Sequence, residues 1–481
     1  MTMYIGPDAR TDRLRAVFSR RLPAALAASL ALAFLASCAG GPGKQPNPKN
    51  ESKIQAVEKA QALLEKGDAA TAADKLGSLA AASPSDAELK LAQAAALVSA
   101  GKLAEARKTV DAVLASDPNN LHALSMGAEL ARFDGDQKAR RSYLDRALAA
   151  APADASVLVS WGEYYLDVKD WPKAEGFFQR ALAANPKSAD ACLGLGRALY
   201  REAKYPEAEA RLTEAIKLEP ASPLAYSDRS RARLKQGKYK EAESDLDEAV
   251  SRAPDESWLY LERGRYRLDK KDMAGAESDF NRAITLDPEY FLSYAYRGGI
   301  REETGKDEEA LADYRKVIQL YPDYWYAFES AGATSFRLGL WAESAADFKR
   351  AFAAAPERYE YAIASGIALW RSGKPKEAAA LAKAVISGVD REKNAIYWNM
   401  LRLIQDQNDA SSELEVLIQG EKRLDLKCAM IFYLSEYWIC RGKLDLAAKY
   451  LELAADMKRE GTLEYRLVPA ERKRLAALTN G

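Results

Sequence analysis

The chain of 481 residues has one histidine, four cysteines and no excess of charge, 70 Lys and Arg balancing 70 Asp and Glu. Each shortage removes a class of function. A zero net charge leaves no basic footprint for a polyanion such as nucleic acid. His122 alone supplies imidazole, so His dyads, Cys/His/Asp triads and histidine metal cages lack material. Also missing are a Gly-rich phosphate loop, His-Glu-x-x-His and a paired-cysteine zinc motif. No pair of carboxylates stands out among so many acidic residues. The reading is therefore non-enzymatic, with no catalytic residue, no metal and no cofactor. Cys428 and Cys440 lie twelve residues apart in one expected helix, about 18 Å, too far to bridge. Cys192 falls at a packing position, where a free thiol behaves as a small hydrophobe.

The N-terminus is basic, then apolar. Arg10, Arg13, Arg15, Arg20 and Arg21 precede a run from Leu22 to Leu35 built mainly of Ala, Leu and Phe. That run is too short to span a bilayer comfortably and reads as a secretory h-region. It ends in Leu35-Ala36-Ser37-Cys38, which resembles the lipobox of bacterial lipoproteins. The resemblance implies removal of residues 1–37 as a signal peptide and acylation of Cys38. It also implies anchorage in the bacterial cell envelope; Ala39 in place of Asp after the cysteine argues for the outer membrane, facing the periplasm. With roughly 0.8 kcal/mol per buried CH2, two or more acyl chains hold effectively permanently. Residues 38–52, with their Gly and Pro, read as a flexible tether.

Prolines then fall at 84, 118, 152, 186, 220, 254, 288, 322 and 356, every interval being 34 residues. A proline at fixed phase punctuates helices, since it cannot continue one and restricts its predecessor. With the third residue after a lattice proline numbered 1, position 8 is Gly162, Gly196, Gly264, Gly298, Gly332 and Gly366. Position 20 is Ala106, Ala174, Ala208, Ala242, Ala276, Ala310 and Ala378, and position 27 is Ala147, Ala181, Ala215, Ala249, Ala283 and Ala351. Position 24 is large: Leu144, Phe178, Leu212, Leu246, Phe280, Tyr314 and Phe348. Small residues at 8, 20 and 27 let a first helix (positions 1 to 14) and a second (17 to 30) approach closely, with glycine at 15 for the turn.

This pattern is similar to the tetratricopeptide repeat (TPR). The resemblance implies an all-α, right-handed superhelical solenoid of about twelve helical hairpins with a C-terminal capping helix. Ten repeats cover 53–392, the first being Lys53 to Asp86; residues 393–461 read as two degenerate repeats and 462–481 as the cap. In this family positions 2, 5, 9, 12 and 13 line a concave groove, so function is sought there.

Position 9 carries Arg197, Arg231 and Arg265 in consecutive repeats, position 13 Arg201 and Lys235, position 2 Trp258 and Tyr326, and position 12 Phe336 and Trp370. Arginine forks and large aromatics are the side chains most enriched at binding hot spots. The set reads either as a groove for an extended or helical protein segment bearing carboxylates, or as a solvated polar face. Position 9 has no Asn, which departs from the carboxylate clamp of chaperone-binding members. Position 7 (Arg229, Arg263, Arg297) and position 23 (Asp245, Asp279, Asp313) face each other within three hairpins and read as structural ion pairs that set register. The expected function is a lipid-anchored scaffold that binds protein partners to assemble or regulate an envelope complex, without nucleic acid. Lipoproteins of this build resemble components of pilus assembly, polysaccharide export and peptidoglycan-hydrolase regulation. The alternative is a glycan- or peptide-binding lipoprotein stacking sugars on Trp258, Tyr326 and Trp370.

Overall fold

The computed structural model describes residues 48–459 and 461–479, so the leader, Cys38 and most of the tether lie outside the described residues. The described residues form 25 α-helices and no strand. The first, Pro48–Glu65, begins inside the stretch expected to be tether. From there helices stack as antiparallel pairs of 13 and 14 residues: repeat 5 is Ala189–Arg201 then Tyr205–Leu218, and repeat 7 is Ser257–Asp269 then Met273–Leu286. No helix of the described residues is long and apolar enough to cross a membrane.

Local chemistry starts several of the helices. In repeats 2 to 5 the preceding residue is Asp86, Asn120, Asp154 or Ser188, whose side chain accepts from the N–H of Leu89, Ala123, Val157 or Ala191 at 3.0–3.2 Å. Such a cap contributes about 1 kcal/mol. The hairpin turn at position 15 needs a left-handed residue, and Gly101, Gly135, Gly237, Gly305, Gly339 and Gly373 adopt φ of 73–81°. Where glycine is absent the conformation persists: Lys169, Ala203 and Lys271 have φ of 61–64°.

Packing follows the small residues. The alanines at position 20 are fully buried, and the position-24 side chains fill the space that the small residues leave. The Phe178 ring is wedged between Gly162 of its own hairpin and Gly194 of the next, where a Cβ would stand 2.6 and 2.2 Å from it. Repeat 3 departs from the pattern. Its position 20 is Arg140, 1% exposed, whose guanidinium reaches Asp167 at 2.8 Å and lies 5.4 Å from the Tyr164 ring centre.

The chain divides into two compact bodies, one up to Arg252 and one from Ala253 onward. Within the second, regularity ends after Pro375–Ile386. Helices Ala395–Asp406 and Ser412–Gly420 make an irregular hairpin, the latter only nine residues long. The next helix starts at Leu424 and runs 17 residues to Cys440 before pairing with Leu444–Asp456. From Cys428 onward it is mostly apolar because neighbours cover it: Cys428, Met430, Phe432, Tyr433, Leu434 and Tyr437 are wholly buried. The last helix, Leu463–Thr479, packs on Leu444–Asp456, where a cap belongs, and also against Leu424–Cys440 and Tyr326–Leu338.

Candidate functional site

In the N-terminal body the position-9 arginines of repeats 5 and 6 share one carboxylate. Arg197 Nε donates to Asp228 Oδ2 at 2.6 Å and Arg231 Nη1 to Asp228 Oδ1 at 3.0 Å. Burial would raise the Asp228 carboxyl, but these two guanidiniums hold it below the usual range. One turn further along their helices, Arg201 and Lys235 are exposed, with Arg201 lying 5.7 Å from the Trp171 ring centre. On the other side of Arg197 stands Glu163, whose carboxyl is pushed up by burial and by Asp167 and Glu129, against the pull of Arg197 and Arg132. The face therefore changes from acidic to basic between repeats 4 and 5.

The C-terminal body treats its expected groove residues differently. Trp258 is 5% exposed and Phe336 not at all, so both are core residues and leave the candidate surface. Arg265 lies 5.7 Å from the Tyr296 ring centre. Tyr326 stacks on Trp325 at 3.7 Å, and Trp370 meets the edge of Tyr437 at 5.6 Å. Phe336 and Trp370 are covered by the chain itself: Phe432 and Tyr437, both from Leu424–Cys440, lie over them.

The last helix sits beside it on other groove positions of repeats 8 to 10. Arg466 reaches Glu302 at 2.9 Å and Glu329 at 3.3 Å. Glu302 also accepts from Arg337 at 3.1 Å and from the Tyr314 hydroxyl at 2.7 Å, and Glu329 accepts from Tyr361. Burial would raise Glu302, yet Arg466 and Arg337 hold it below the ordinary value. Arg474 donates to the Arg337 carbonyl at 2.6 Å and pairs with Glu471. Arg371 bridges the wholly buried Glu436 and Glu471 at 2.6 and 3.2 Å, and the Trp341 ring lies 4.1 Å from Arg371 and 4.8 Å from Arg474. Glu464, also buried, accepts from Tyr433 at 2.8 Å.

The position-7 arginines meet the position-23 aspartates in bidentate pairs. Arg229 reaches Asp245 at 3.0 and 2.7 Å, Arg263 reaches Asp279 at 3.1 and 2.7 Å, and Arg297 reaches Asp313 at 2.9 and 2.6 Å. Sequence reasoning missed the third member. Arg233, Arg267 and Arg301, at position 11, donate to the same three aspartates at 2.8, 2.8 and 2.9 Å. Arg233 also holds Glu209 of the preceding repeat at 2.9 Å, and Arg301 holds Glu277 at 3.2 Å. Lys238 and Lys306 join those glutamates at 2.6 and 3.3 Å. The position-11 arginines recur at the 34-residue interval, as the position-7 arginines and position-23 aspartates do, which is the signal that would have found them.

Cys192, Cys428 and Cys440 are free thiols. Among the described residues no group of three or more His, Cys, Asp or Glu is placed to hold a metal ion.

Family profiles described as tetratricopeptide repeat match residues 63–130, 224–256, 261–324 and 334–393. A profile for the middle TPR-like domain of cilia and flagella-associated protein 70 matches residues 121–235. Among solved structures, a tetratricopeptide repeat protein from Parabacteroides merdae is 22% identical, with 51% of this chain and 98% of that one covered and a TM-score of 0.41. The Cut9–Hcn1 hetero-tetramer of the APC/C is 16% identical over 68% of this chain and 65% of that one, with a TM-score of 0.47. PilW, a type IV pilus biogenesis factor, is 19% identical over 42% of this chain and 94% of that one, with a TM-score of 0.38. No curated protein matches the chain by sequence. These likenesses concern the fold alone.

Proposed function

The chain is a tetratricopeptide-repeat protein, and we propose that it is a non-enzymatic, lipid-anchored scaffold of the bacterial envelope that captures a protein partner on the basic face of repeats 5 and 6. The observation that carries this reading is the contrast between its groove positions. In repeats 9 and 10 the chain's own helices cover Phe336 and Trp370. In repeats 5 and 6 Arg201 and Lys235 stand exposed beside the Arg197–Asp228–Arg231 cluster. The shared aspartate engages Arg197 and Arg231, which leaves Arg201 and Lys235 as the exposed charges the face offers to carboxylates on an extended or helical segment. The sugar-stacking alternative loses support, because Trp258 is buried and Trp370 is packed against Tyr437.

Zero-length carbodiimide crosslinking in cells, read by mass spectrometry, should join Lys235 to acidic peptides of a partner. The same adducts should disappear in Arg201→Glu while helical content is unchanged. An adduct profile unaffected by the charge reversal, or no partner peptide on Lys235, overturns the assignment. For the anchor, Cys38→Ala should move the protein from the membrane to the soluble fraction; continued membrane retention counts against acylation.

A further inference from the structure

The partner of repeats 8 to 10 is already present. We infer that the face formed by Glu302, Glu329 and the Arg337 carbonyl is a helix-binding surface whose resident and exchangeable occupant is the C-terminal helix Leu463–Thr479. It takes amphipathic helices that carry two arginines about two turns apart. The inference stands independently of the reading of repeats 5 and 6.

The two helices that cover this region differ in kind. Leu424–Cys440 belongs to the core, with twelve of its 17 residues buried. Leu463–Thr479 offers a smaller apolar set, Leu463, Leu467, Val468 and Leu475, and makes its specific contacts by charge. Its ion pairs reach far back along the chain: Arg466 pairs with Glu302, 164 residues away, and Arg474 bonds the Arg337 carbonyl, 137 residues away. A helix serving only to cover the last hairpin would not need partners in repeats 8 and 9. Buried pairs of this sort offset their desolvation with little net gain, so they select which helix binds and in what register more than they hold it. Pro469 lies within the helix, which removes a backbone donor and weakens the segment when it stands alone. A short helix of this kind forms on docking and unfolds on release.

The test uses the full chain with a specific protease site placed between Asp456 and Leu463, cut after folding and then challenged with an excess of fluorescent peptide spanning 463–479. The peptide should replace the resident helix, seen as co-elution with the cut protein, while the helicity of the remainder persists. The same peptide carrying Arg466→Glu and Arg474→Glu should compete at least tenfold less well. Retention of the resident helix against a thousandfold excess, or collapse of the fold on cutting, makes the helix part of the core and overturns the inference. Equal competition by the charge-reversed peptide overturns recognition through arginine.

Discussion

Asp279→Ala tests whether the repeated charge clusters hold the hairpins together. The Asp279 side chain is 3% exposed and receives Arg263 on both oxygens, at 2.7 and 3.1 Å, and Arg267 on one, at 2.8 Å. Truncation removes the carboxylate that both guanidiniums share. Removing one partner of a buried ion pair costs about 3–5 kcal/mol. Arg263 and Arg267 remain 16% and 24% exposed, so each recovers part of its hydration. The expected loss is therefore near the lower bound, about 3 kcal/mol, or roughly a hundredfold in local opening. In a repeat array this loss stays local. Native-state hydrogen exchange should show it in Ser257–Asp269 and Met273–Leu286, with helices such as Leu103–Ser116 unchanged. A loss under about 1 kcal/mol refutes the reasoning, and so does an equal loss throughout the chain.

Three further outcomes follow from local geometry. Lys169→Gly, Ala203→Gly and Lys271→Gly should each raise the melting temperature, because these residues hold φ of 61–64° at a cost of roughly 1 kcal/mol that glycine removes; a lower melting temperature refutes this. Gly194→Ala should destabilise by about 1–3 kcal/mol in urea titration, since the new methyl would stand 2.2 Å from Phe178, and Phe178→Leu should restore part of the loss. Docking of the last helix should weaken with rising pH. Burial, together with Glu360 and Glu329, outweighs the hydrogen bonds from Tyr433 and the backbone and lifts the Glu464 carboxyl to about 7. An undocked glutamate titrates near ~4.3. The stabilisation is thus complete below that value and is lost as pH climbs through about 7, roughly 3 kcal/mol in all. Glu464→Gln should flatten the profile between about pH 5 and 8; an unchanged pH dependence of peptide exchange refutes it.

The hairpins were legible because one lattice of prolines and small residues serves every repeat, and a side chain's burial at positions 8, 20, 24 and 27 depends only on its own and adjacent repeats. The charge clusters were half legible. Arg229 and Asp245 face each other inside one hairpin, so register alone pairs them. Arg233 sits between that hairpin and the previous one, bonding Asp245 and Glu209 together, and a search confined to single hairpins passes over it. Position also misjudged the groove aromatics. Phe336 and Trp370 do occupy groove positions, but what covers them comes from Leu424–Cys440, which follows the loss of the proline lattice and whose start no repeat spacing marks.

Charge, more than apolar pattern, specifies how the last helix lies on the repeats. Its buried apolar residues, Leu463, Leu467, Val468 and Leu475, would tolerate more than one register against a surface already rich in aromatics. Its ionised residues would not. A shift of one helical turn, about 5.4 Å, would carry Arg466 away from Glu302 and Glu329 and strand the wholly buried Glu471 beyond Arg371. An unpaired carboxylate in that place costs several kcal/mol, far more than the few tenths separating one apolar contact set from another. Arg371→Met should therefore displace the helix more than Leu467→Ala does. With Arg371 gone, Glu436 loses its 2.6 Å partner and Glu471 keeps only Arg474, whereas loss of Leu467 leaves every ion pair intact. Limited proteolysis within residues 457–462 and peptide exchange report the displacement. A larger effect from Leu467→Ala would show that apolar packing sets the register, and the argument from charge would fail.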